Sequence, residues 1–192
     1  LNVGAQSRIA QSNADGNWER SQAWRNGTAP SNACGLANDE TVTVEHRITN
    51  DCDQLEVYGQ SNVHVINQGK LIVNDLHLFG NAELKVAEGS ELVVHGNLKV
   101  AGNAQLELNG KLTVYGRFSV EGSANACGTG VAHTYASVAG DNLCYDISIQ
   151  PHKMLRMEAS VAEGQAVLIH WESESAAAQH EYREHNQIAD DG

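Results

Sequence analysis

The sequence predicts an all-β chain: a short triangular parallel β-solenoid of about 21 residues per coil and four to five coils. Capping segments flank it, and a small antiparallel β region follows. Three observations carry this reading. Copies led by glycine repeat through the middle of the chain, and each copy holds apolar–x–apolar triplets that recur in threes. The third is turn chemistry: 18 Gly and 17 Asn in 192 residues imply many short strands joined by tight corners.

The copies run from Gly59 (GQSNVHVINQGKLIVNDLHLF), Gly80 (GNAELKVAEGSELVVHGNLKVA) and Gly102 (GNAQLELNGKLTVYGRFSVE), with lengths of 21, 22 and 20 residues. A fourth begins at Gly122 as GSANA and drifts, and a less regular one starts at Asn38. The first triplet of each copy is Val42–Val44, Val63–Val65, Leu84–Val86 and Leu106–Leu108. The second is Leu71–Val73, Leu92–Val94 and Leu112–Val114, and the third is Leu55–Val57, Leu76–Leu78, Leu98–Val100 and Phe118–Val120. Side chains alternate along a strand, so the outer residues of each triplet face inward and the central one outward. An antiparallel sandwich is the alternative, but a stack of hairpins has no reason to keep a three-strand period.

The alternation also names outward columns. One is Thr43, His64, Lys85 and Glu107, and another is Glu56, His77, Lys99 and Ser119. The third, Ile72, Val93 and Thr113, carries two apolar residues where polar ones are expected, so another part of the chain or a partner should cover it. Ile72 and Val93, with Trp18 and Trp24 of the N-terminal segment, are therefore the candidate contact surface.

A solenoid leaves its core and strand edges open at both ends and must cap them. The four cysteines lie where caps are needed: Cys34 and Cys52 before the regular copies, Cys127 and Cys144 around the drifting one. Cross-pairing would have to span the stack, beyond the reach of a disulfide. The predicted pairs are 34–52 and 127–144, which imply an oxidising compartment. In the 21-residue register Cys52 aligns with Val73, Val94 and Val114 on the inward ladder. The resulting domain boundaries are an N-terminal cap at 1–37, a solenoid at 38–144 and a β region at 145–192.

The run Gly16-Asn17-Trp18, Ala23-Trp24-Arg25-Asn26-Gly27 and Ala29-Pro30, leading into stacked triplets, resembles the entry to β-solenoid regions of secreted and cell-surface proteins of Bacteroidetes-type bacteria. The C-terminal stretch suggests strands at Leu155–Val161, Gln165–Trp171 and Glu181–His185. With VLIHWESES and EYREHNQ, it is similar to the immunoglobulin-like or fibronectin type III-like sandwich domains that precede sorting domains in type IX secretion substrates. It departs from them at Glu181–His185, where those domains commonly read FEVERS. A whole sandwich needs about seven strands. The resemblance therefore implies a partial domain of a longer polypeptide, or strands that pack on the solenoid or complete a neighbouring copy.

The formal charge of −12 argues against phosphate-mediated nucleic-acid binding, and no apolar run is long enough to span a bilayer. No GxSxG, HExxH, P-loop or dinucleotide-binding pattern occurs, and the nine histidines are scattered, so no catalytic residue, metal site or cofactor is expected. The residues point to a non-enzymatic structural or adhesive module (a rod, stalk or fibre subunit), secreted to a bacterial surface. Its expected partners are further copies of itself, further domains of its own chain, or surface glycans. The alternative is a carbohydrate-binding or polysaccharide-degrading β-helix, with Trp18, Trp24 or Tyr58 stacking on sugar rings.

Overall fold

The computed structural model describes residues 8–36, 39–140, 142–144, 146–151, 153–162 and 166–174, the last two stretches by their backbone alone. They divide into two compact units that meet between Ile149 and Gln150.

The first unit is a parallel β-solenoid of about five turns, with about 21 residues per turn. Its strands line three sheets. The first sheet stacks Ile9–Gln11, Thr41–Val44, Asn62–Val65, Glu83–Val86, Gln105–Leu108 and Asn125–Cys127. The second runs from Gly16–Asn17 through Arg47–Thr49, Lys70–Val73, Glu91–Val94, Lys111–Val114 and Val131–Thr134 to Ser148–Pro151. The third stacks Gln54–Val57, Asp75–Leu78, Leu98–Val100, Phe118–Val120 and Val138–Ala139. At about 4.8 Å per level the first sheet rises about 24 Å.

The register follows the triplets. Val63 lies on Val42 and under Leu84, Leu92 lies between Leu71 and Leu112, and Leu98 lies between Leu76 and Phe118. These inward ladders are buried, and they form one apolar core with Ala10, Trp18, Trp24 and Leu36. Phe118 has Val138 above it, in a coil whose other inward positions are the small Ala126, Ala132 and Thr134. The drifting copy is thus a genuine fifth coil, whose small residues leave room for the phenyl ring below. The corners repeat too. Gly59, Gly80, Gly102 and Gly122 all take a positive φ of 70–74°, and a Cβ on Gly80 would lie 3.1 Å from the Gly59 nitrogen. The stack needs glycine at that corner for both reasons.

The first coil departs from the simple count. Ile48 pairs with Leu71 and Thr49 with Ile72, and the Asn50 amide bonds the Ile72 carbonyl, so the inward position beside Val73 belongs to buried Asn50 and not to Cys52. Only Glu45 and His46 separate the first two strands of this coil, whereas four residues separate them in the next. A 21-residue count therefore overshoots the second strand by two. Asn50 is satisfied there: its side-chain amide donates to the Ala33 carbonyl at 2.7 Å, and its Oδ1 accepts the Cys52 amide.

Both expected disulfides are present, Cys34–Cys52 with Cα atoms 5.5 Å apart and Cys127–Cys144 with 4.9 Å. Each ties a cap to the adjoining coil. Cys34 lies beside the Gly35–Glu56 bridge onto the first coil. Cys144 donates its amide to the Ala126 carbonyl, in the segment whose Leu143 bridges to Ala126. Closing a loop of this size contributes about 3 kcal/mol by chain entropy. Replacing Cys127 and Cys144 together by Ser should lower the denaturant midpoint accordingly, without changing the far-ultraviolet spectrum of the regular coils.

The second unit contains a two-stranded antiparallel hairpin of Lys153–Ala162 and Ala166–Glu174, which pairs Met157 with Trp171 and Val161 with Val167. This agrees with two of the strands read from the sequence. The strand read at Glu181–His185 lies outside the described residues.

Candidate functional site

Successive coils set the outward side chains about 4.8 Å apart, the spacing at which they can pair. On the second sheet Glu91 takes Lys70 at 2.6 Å and Lys111 at 3.3 Å, a ladder across three coils. Burial alone would raise the Glu91 pKa, but the two ammonium groups outweigh it and hold the carboxyl below its ordinary value. On the first sheet Lys85 reaches Glu83 at 3.0 Å and Glu107 at 3.2 Å, and near the third Lys99 reaches Glu121 at 2.8 Å. Hydrogen bonds first, and then the charges of these carboxylates, raise the Lys85 pKa.

Beyond the inward Val94, Val114 and Thr134, the rings of His95, Tyr115 and Tyr135 form a second ladder, stacked at 5.6 and 4.7 Å. The column Ile72, Val93 and Thr113 runs between this ring ladder and the Lys70–Glu91–Lys111 ladder and is only 7–8 % exposed. The candidate contact surface is therefore revised. Ile72 and Val93 are buried on their own face. Trp18 and Trp24 are each 1 % exposed, packed edge to face at 5.7 Å under the first coil. Trp18 Nε1 donates to the Asn32 carbonyl and Trp24 Nε1 to the Trp18 carbonyl, so both rings are used up in the cap. Tyr58 is also engaged, stacked on Phe79 at 5.4 Å. The side chains proposed from sequence to bind sugar rings are thus spent on packing. Among the described residues the exposed aromatics are Tyr115 and Tyr135, at 46 % and 44 %. Sequence reading overlooked them, although each follows an inward residue at a 20-residue interval.

His77 lies beside Phe79, ring centroids 4.8 Å apart, and its Nε2 is buried without a hydrogen-bond partner. Burial first, and then the Lys99 charge, lower its pKa. The fold therefore favours the neutral ring. Its contribution to stability is present above the free imidazole value of about 6.5 and is lost as pH falls through the depressed folded value. A proton NMR titration should show His77 protonating at a lower pH than a histidine in an unfolded peptide; an equal or higher midpoint would contradict this environment.

A shallow groove of 620 Å³ lies at the C-terminal cap, lined by Ser123, Asn125, Asn142, Asp146 and the Cys127–Cys144 disulfide. Asp146 is the one ionisable side chain among its described lining residues. Among the described residues no three His, Cys, Asp or Glu side chains gather as metal ligands, and no helix is long and apolar enough to cross a membrane. What the arrangement does bring together is coil-to-coil bracing: ion pairs and stacked rings joining neighbouring turns. Comparisons with protein-family models, curated proteins and solved structures find no match to this chain.

Proposed function

We propose that this chain is a non-enzymatic structural or adhesive module of a bacterial exterior, in which the solenoid serves as a stiff spacer. The observation that supports it best is how the outward columns are used. Lys70, Lys85, Lys99 and Lys111 each pair with a glutamate of their own or a neighbouring coil, and the exposed rings stack on one another. Groups spent on neighbours brace a stack and are not poised for a substrate.

The two disulfides accord with an oxidising exterior. The resemblance of the Trp-bearing entry and of the C-terminal stretch to type IX secretion substrates supports surface delivery by that route. Buried Trp18 and Leu36 at one end and Ile147 at the other favour a capped stalk over a fibre grown by end-to-end stacking. The test is immunogold electron microscopy of the native cells, together with thiol alkylation without reductant. Label at the cell surface and blocked cysteines are expected; a cytosolic protein with four free thiols would overturn the reading.

A carbohydrate-binding role is the second reading, favoured by the exposed Tyr115 and Tyr135. Tyr115 has one face against His95 and the other against Tyr135, which leaves its ring edge for a sugar. A glycan array and a reducing-sugar assay test it: binding lost in Tyr115→Ala would favour this reading, and silence in both assays would remove it.

A further inference from the structure

We propose that the N-terminal cap, residues 8–36, is a proton-operated latch: acid releases it from the first coil while the Cys34–Cys52 disulfide keeps it tethered. The cap shares only five paired strand residues with the first coil, Ile9–Gln11 and Gly16–Asn17, plus a single bridge at Gly35. Neighbouring regular coils share strands of three or four residues on every face.

Apart from backbone bonds and the Asn50 side-chain amide on the Ala33 carbonyl, the polar attachments of the cap run through titratable groups. Glu40 is fully buried; it accepts the Ser31 amide at 2.8 Å and the Ser31 hydroxyl, and it faces Arg8 at 3.5 Å. Glu45 accepts the Gln11 and Asn67 amides, both at 2.7 Å, and pairs with Arg25 at 3.2 Å. Asp51 accepts the Asn17 side-chain amide. From the cap, Asp15 accepts the backbone N–H of Arg47 at 2.9 Å.

His46 completes the set. Ser12 Oγ accepts the Glu45 amide at 2.7 Å and lies 3.2 Å from His46 Nδ1, so its one hydrogen is free to point at that nitrogen. Ser12 is fully buried, and an imidazolium has no acceptor to offer its hydroxyl.

Protonation acts on all of these in one direction. Neutral carboxyls lose their charge-assisted bonds, and Arg8 and Arg25 of the cap lose the anionic partners they face, Glu40 and Glu45. The Gln11 hydrogen bond first, with Asn67, Arg25 and His46 and against the effect of burial, holds the Glu45 pKa below its ordinary value. Its contribution is thus complete above the ordinary carboxylate range of about 4 and is lost as pH falls below it. Packing of Trp18 and Trp24 opposes release, so opening needs several groups protonated together and should be steep in pH. The Lys–Glu pairs between regular coils also weaken in acid, but their backbone ladders and apolar core remain.

Hydrogen exchange read by mass spectrometry on the oxidised chain, corrected for intrinsic rates, tests this at pH 7 and about pH 3.5. Peptides within 8–36 should lose protection by about tenfold or more, while those within 62–120 keep theirs. Unchanged cap protection, or cap and coils opening together, would overturn it. At pH 7 the double substitution Glu40→Gln with Glu45→Gln should open the cap similarly. Cap protection equal to the parent's would also overturn the latch, and should that variant fail to fold, the pH comparison on the parent chain decides alone.

Discussion

Leu92→Ala should cost about 2–5 kcal/mol, whereas Val93→Thr, one residue along, should cost less than about 1 kcal/mol. Leu92 is fully buried on the inward ladder between Leu71 and Leu112, in the middle of the stack, where no neighbour can collapse into the space it leaves. Val93 points outward, and the next coil already has Thr113 at the equivalent position. Urea denaturation followed by circular dichroism checks both. The contrast is the informative quantity, because a register slipped by one residue would exchange the two values. Equal costs would remove the inward–outward assignment of the second sheet.

Trp18→Ala should cost about 3–5 kcal/mol, the range for deleting a buried aromatic ring. Trp18 continues the inward path below Asn50: Asn17 pairs with Thr49, and the Trp18 amide bonds the Thr49 carbonyl. Its ring closes the end of the core and meets Trp24 edge to face. Losing it also loosens the cover over the edges of Thr41–Val44 and Arg47–Thr49, and uncovered parallel edges pair with other chains. Light scattering should therefore show self-association of Trp18→Ala at concentrations where the parent is monodisperse. Trp18→Phe keeps most of the ring and loses the Nε1 bond to Asn32, at about 1 kcal/mol. Equal stability of parent and Trp18→Ala would mean that the cap is not part of the folded core.

Much of the fold is legible in the sequence where strict alternation meets a fixed repeat. Leu92 and Lys85 are placed by counting alone, because a strand has only two faces and a coil only three strands. The disulfide pairing is legible from the length of the stack. Legibility fails where the path keeps its direction and changes its count. Ile48-Thr49-Asn50 hides behind a corner two residues shorter than its successor. Ala10, Trp18 and Leu36 follow the solenoid path below the first coil, but the excursion holding Ser21–Ala23 and Arg25–Gly27 separates them, so no period joins them. That Ile72 and Val93 are covered is legible in the sequence, but not what flanks them. Only the lateral ladders Lys70–Glu91–Lys111 and His95–Tyr115–Tyr135 show that. For the candidate site, charge pairs such as Lys85–Glu107 could be read across coils, whereas the Ser12–His46 and Glu40–Ser31 contacts join segments with no common pattern.

Residues 39–140 are stacked coils braced turn to turn. Pulling single molecules from both ends by force spectroscopy tests this most directly. A stack held by nearest-neighbour contacts should yield in steps of one coil, each about 70 Å of released chain for about 21 residues. Release of the whole unit in a single step, as expected of a sandwich whose strands are sheared together, would contradict it.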